Sequence, residues 1–209
     1  DSSDSSVASV SESGLVTLLK AGTTIITVKP EYNTSPPIMA QCVLTVEQSS
    51  VGIKLNQSAV TLEAGSDYSL SYVLTPTNAT TTVVWKSMDS SIATVSAKGL
   101  VTAKKAGTTY IVATSADGYS AECKITVTQQ ATGIKLSTTD ITLGVGDSYT
   151  VDATITPQEA TDKKVTWTSQ NTKIAKVTSD GKVTGVAVGT TIIAAKITTG
   201  EVAYVNVTV

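Results

Sequence analysis

One phrase occurs three times along this chain: GLVTLLKAGTT from Gly14, GLVTAKKAGTT from Gly99 and GKVTGVAVGTT from Gly181. Self-similarity at a long, nearly fixed period means that one folding unit has been reused, and each copy must build its own core. The 209 residues hold two complete units, 51–128 and 132–209, and one partial unit, 1–47, that matches only the second half of the others. The linkers Glu47-Gln48-Ser49-Ser50 and Thr128-Gln129-Gln130-Ala131 are short and polar, so they leave little slack and predict modules strung like beads on a rod.

Within a unit the pattern is that of strands. Tyr68, Leu70, Tyr72 and Leu74 alternate with Ser69, Ser71 and Thr75, and the third unit repeats this with Tyr149, Val151, Ala153 and Ile155. Seven short strands are expected in the second unit, at roughly 52–63 with a break, 67–75, 82–87, 92–96, 100–104, 108–115 and 120–128. Turn signals such as Lys98-Gly99, Ala106-Gly107 and Asp117-Gly118 separate them, and no segment has helical periodicity. Seven alternating strands in about 80 residues fit an all-β, two-sheet sandwich.

The register between copies also assigns side chains. Cys42 and Cys123 fall at matching places where the third unit has Val205, each two residues before an apolar Leu44, Ile125 or Val207, so both are expected to be buried free thiols. Trp85 and Trp167 are in phase with Val83 and Val165 and are expected to be core tryptophans. In the first unit the strands before residue 4 are missing. The inward row Val10, Val16, Ile26, Val28, Cys42, Leu44 and Val46 should therefore lie open, along with unpaired strand edges. Either the chain is a fragment, or another chain or copy supplies the missing strands. Asp1 to Ser6 has no signal pattern and the chain opens inside a repeat, so its native start is expected upstream.

Function classes narrow on chemistry. With no His and no Arg, and a net charge of −2, the chain offers no catalytic triad and no basic field for nucleic acid or an anionic membrane, and it has no apolar run long enough to span a bilayer. No glycine-rich phosphate loop opens a helix. The acids sit at turns and polar faces and mostly fail to match between copies, as with Asp89 against Asn171. Together with Asp117 and Glu122 at a hairpin, they read as solvated charge. No cofactor is expected. Weak calcium binding stays open at Asp140 with Asp147 and at Asp180 beside Gly181. The first unit's last hairpin is four residues longer than the second's, and its Tyr32, Asn33, Pro36 and Pro37 are the candidate recognition loop.

Val51-Gly-Ile-Lys-Leu, Trp85 with Ser87, Ile92-Ala93-Thr94-Val95, Gly99-Leu-Val-Thr and Ala106-Gly107-Thr108-Thr109 together resemble the bacterial immunoglobulin-like domain, group 2. The third unit carries the same elements at Gly133, Trp167, Ile174-Ala175-Lys176-Val177, Gly181-Lys-Val-Thr and Gly189-Thr-Thr. The resemblance implies tandem immunoglobulin-like sandwiches in a bacterial surface or secreted protein. Their role would be a non-enzymatic extracellular stalk, spacer or cell-adhesion module that meets a protein or glycan at a cell surface. The alternative is a carbohydrate-binding or spacer module attached to a polysaccharide-degrading enzyme, which needs an exposed aromatic platform such as Tyr32, Tyr119 or Tyr204.

Overall fold

A computed structural model describes residues 1–30, 32, 36 and 38–209. Among them the chain is all strand and turn. The first unit contributes β1 (Ala8–Val10), β2 (Val16–Leu18), β3 (Gly22–Val28) and β4 (Ala40–Val46). The second contributes β5 (Gly52–Leu55), β6 (Ala59–Glu63), β7 (Asp67–Ser69), β8 (Tyr72–Thr75), β9 (Val83–Ser87), β10 (Ala93–Val95), β11 (Leu100–Ala103), β12 (Gly107–Ser115) and β13 (Ser120–Thr128). The third repeats these nine as β14 (Gly133–Leu136), β15 (Asp140–Thr142), β16 (Ser148–Thr150), β17 (Ala153–Thr156), β18 (Val165–Ser169), β19 (Ala175–Val177), β20 (Lys182–Gly185), β21 (Thr190–Ile197) and β22 (Val202–Thr208).

In the second unit one sheet runs β6-β13-β12-β9 and the other β10-β11-β7, with β5 paired to β8. The third unit has the same three groups, β15-β22-β21-β18, β16-β20-β19 and β14-β17. All pairs are antiparallel except β13 with β6 and β15 with β22. The sheets bury the rows that alternation predicts. Ile111 and Ala113 from β12 meet Cys123, Ile125 and Val127 from β13 and Val101 from β11, all essentially without solvent contact. Each buried isoleucine or valine of this kind contributes about 1.5–3 kcal/mol. Ile193, Ala195, Val205, Val207 and Val183 form the matching core of the third unit.

The structure departs from strict alternation in both complete units, and Tyr149, expected inward, is exposed. The expected strand 67–75 divides at Leu70 and Ser71, because β7 pairs with β11 in one sheet whereas β8 pairs with β5. The crossing breaks the phase: Leu70 and Leu74 are buried, but Tyr72 turns outward over Trp85. Leu70 donates its amide to the Gly99 carbonyl at the crossing, and Gly181 receives Val151 in the same way.

That crossing explains the glycine of the repeated phrase. Gly99 has φ +80°, and a Cβ there would lie 2.4 Å from the Leu70 carbonyl oxygen and 3.0 Å from the Trp85 ring. Gly181 meets the Val151 carbonyl oxygen and Trp167 at 2.5 Å and 2.9 Å. Both tryptophans are partly buried and pack against the cores, so they close the sandwich at its margin and do not sit at its centre.

The linkers dock onto the module that follows. The Gln48 amide donates to Thr80 Oγ1 (3.0 Å) and the Thr80 amide to the Gln48 carbonyl (2.9 Å). Gln129 and Thr161 repeat the exchange at 2.8 Å each way. Next to it, the second unit uses a polar lock: Ser50 donates its amide and hydroxyl to Asp117 at 2.7 and 2.8 Å, and its hydroxyl also reaches Ser115. These bonds hold the Asp117 carboxyl below its usual range, so this acid is a structural acceptor where solvated charge was expected. At the equivalent place the third unit has an apolar cluster of Ala131, Ile155, Ala160 and Ile197.

Two glycine substitutions separate strain from collision. Gly65, at φ +86°, has open space around its Cβ direction. In urea unfolding, Gly65→Ala is expected to cost about 1–2 kcal/mol of backbone strain. Gly99→Ala, which adds the clash with Leu70 and Trp85, should cost at least about 3 kcal/mol.

Candidate functional site

The first unit holds an open cleft. Its β3 and β4 pair as β12 and β13 do, and β1 and β2 pair as β10 and β11 do, so the equivalent positions can be compared directly. Val101 is fully buried but its counterpart Val16 is 37% exposed; Ala103 is 1% exposed but Leu18 is 59%; Ala113 is fully buried but Val28 is 66% exposed. Ile26 and Val46 are buried, because Ser2 bridges to Ile26 and Val7 and Ala8 pack on Val46. The inward row is thus half open and half covered.

The register extends three residues further back than the repeated pattern suggests. Ser2 opposes Ile26 as Ser87 opposes Ile111, Thr27 donates its amide to the Asp1 carbonyl, and Ser3 donates its amide to the Ile25 carbonyl. Residues 1–3 therefore lie on the track of the third strand of a complete unit. Beside them is a cleft of about 590 Å³ lined by Ser2, Val10, Gly14, Ile26 and Val28. Gly14 keeps the left-handed turn, at φ +82°, yet nothing lies within 4 Å of its Cβ direction, where Gly99 meets Leu70 and Trp85. The cleft lies at the place where the second unit packs Trp85.

The cysteines diverge for the same reason. Cys123 is buried, as expected, and burial pushes its thiol pKa up. Cys42 is exposed, which corrects the expectation of two buried thiols. It opposes Ile26 as Cys123 opposes Ile111, but β4 has no neighbour equivalent to β6 among the described residues.

The other sequence-predicted positions do not converge. Tyr32 is 82% exposed and Pro36 is exposed, while Asn33 and Pro37 lie outside the described residues. Asp140 accepts from Thr139 and Asn206, Asp147 accepts from the Gly144 amide, and Asp180 accepts from Thr178. Among the described residues no three of His, Cys, Asp and Glu come together as a metal cluster. Asp4 and Asp89 match between copies as turn acceptors, each taking the amide (2.9 Å) and hydroxyl (2.6 Å) of the serine two residues on, which holds both carboxyls below their usual range. Sequence reading missed the Ser50–Asp117 lock, whose partners lie 67 positions apart in different strands' flanks and share no motif. Thiol labelling of the native chain should modify one cysteine rapidly, located by mass at Cys42. The Cys123 thiolate should appear only on unfolding, at least about a hundredfold more slowly.

Against known proteins, the chain is 30% identical over 155 residues to an uncharacterized protein of Clostridium acetobutylicum, covering 73% of this chain and 16% of that one. It is 40% identical over 134 residues to an Ig-like virion protein of Serratia phage KSP90, covering 61% of this chain and 52% of the phage protein. It is 47% identical over 62 residues to an alpha-L-arabinofuranosidase of Bifidobacterium longum, covering 30% of this chain and 6% of the enzyme. The chain thus spans about half or less of the length of each. The family model for the bacterial Ig-like domain (group 2) matches residues 51–125 and 130–207, and the chain belongs to that family.

Proposed function

We propose that this chain is a non-enzymatic, extracellular segment of a bacterial surface or secreted protein, serving as a stalk or spacer that can present an adhesive surface. The observation that carries the reading is the absence of slack between modules. Thr128 is the last residue of β13, paired with Glu63, and the next residue, Gln129, is already pinned to Thr161 of the following unit. Between Val46, paired with Gly22, and Gln48, pinned to Thr80, there is only Glu47. Such connections transmit position and load through backbone ladders, which is what a spacer requires.

On this reading the first unit is completed by three strands of a further polypeptide segment, whose tryptophan fills the cleft beside Gly14. The similarity to a phage virion protein supports a role at an exterior surface. A second reading, a module attached to a polysaccharide-degrading enzyme, is favoured by the segment shared with the arabinofuranosidase. Tyr119 and Tyr204, which it would use, are both exposed but lie on different units.

Distance measurement between spin labels tests the spacer. Labels at Glu122→Cys and Lys196→Cys, in a Cys42→Ser, Cys123→Val background, should give one narrow distance distribution. Two glycines inserted between Thr128 and Gln129 should broaden it. A distribution equally broad with and without the insertion would contradict the reading.

A further inference from the structure

The open face of the first unit repeats the closed faces of the other two in most respects. Gly14, Val16 and Ile26 match Gly99, Val101 and Ile111 in kind and in register. At two positions its side chains are larger. Leu18, opposite Ala8, stands where the second unit has Ala103 opposite Ala93 and the third has Gly185 opposite Ala175. Val28 stands where the others have Ala113 and Ala195, which are fully buried and paired with Trp85 and Trp167. In the complete units a turn clamps the first of these positions from both directions. The Ala103 amide donates to the Ser66 carbonyl and the Gly65 amide to the Ala103 carbonyl, each at 2.9 Å. Gly185 is held in the same way by Asp147 and Gly146, at 3.0 and 2.9 Å. In the third unit even a Cβ there would lie 2.7 Å from the Gly144 carbonyl oxygen and 3.0 Å from Val209 Cγ1.

We infer that Leu18 and Val28 are the specificity determinants of the open face. They refuse the first-half strands of the neighbouring units, 51–87 and 132–169, and admit a different segment, whose turn stands off β2 and whose tryptophan strand has room beside a valine. The branched end of a leucine at position 18 enters the space that the clamping turn occupies in the other two units. Moving that turn away gives up both backbone hydrogen bonds, and keeping it in place overpacks the site. The methyls of Val28 set a second obstacle beside the indole, on a different strand. Units this alike share their ladder register and their glycine turn, so halves of one could pair with halves of another. A mismatch of side-chain volume separates them, because the wrong segment meets a collision where the right one gains contacts. The inference rests on the reading that a further polypeptide segment completes the first unit, and it adds which segments that face excludes.

The exposed Cys42 thiol reports the outcome. In the full chain carrying Cys123→Val, a copy of residues 50–85 is placed directly ahead of Asp1, so that the copied tryptophan meets Asp1 as Trp85 meets Lys86. With Leu18 and Val28 in place, Cys42 should label within about threefold of its rate in the chain without the graft. With Leu18→Ala and Val28→Ala the same graft should slow that labelling by at least about a hundredfold. Equal protection of Cys42 in the two grafts overturns the inference. The mirror substitution needs no graft: Ala103→Leu in the otherwise unaltered chain should speed Cys123 labelling by about tenfold or more, because the turn at Gly65 can no longer close on β11. An unchanged Cys123 rate also overturns the inference. If neither graft protects Cys42, the reading that strands complete the first unit falls, and the selectivity falls with it.

Discussion

Each complete module depends on a three-way contact: a tryptophan on the third strand, the carbonyl where the second strand changes sheets, and a glycine turn that leaves room for both. At Gly99 and Gly181 a Cβ would strike that carbonyl oxygen and that indole. The contact sits where the chain crosses between sheets, so it couples the two layers through backbone as well as side chains. In the first unit the same glycine turn borders an open cleft. Val16, Leu18, Val28 and the Cys42 thiol are exposed there.

With the closure fixed, the modules are free to vary elsewhere. One end of the second unit is held by Ser50, Ser115 and Asp117, and the same end of the third by Ala131 and Ile197. A hydrogen-bonded carboxylate and an apolar cluster are chemically unlike, yet each satisfies the groups it buries, so the backbone around them is unchanged. The cover over the tryptophan varies likewise, from Tyr72 in the second unit to Ala153 in the third.

Much of the fold was legible in the sequence because it is periodic. The offset between copies placed Ile125, Val205 and Val207 inward, and turn signals located Gly99, Gly107 and Gly118. Three things were not legible. Tyr72 lies outward just after the chain crosses from one sheet to the other, and alternation alone carries no mark of that crossing. Cys42 is exposed because burial is a property of neighbours, and among the described residues β4 pairs with β3 alone. Asp117 binds Ser50 through tertiary juxtaposition of residues with no shared motif.

The central claim is that closure of the tryptophan on the glycine turn is what makes a half-sandwich into a module. Hydrogen exchange on the full chain carrying Trp85→Ala tests it most directly. The substitution should cost the second unit about 2–4 kcal/mol. Amide protection in β10 to β13 should fall toward that of β1 to β4, with β19 to β22 unchanged as the internal control. Undiminished protection across β10 to β13 would contradict the account.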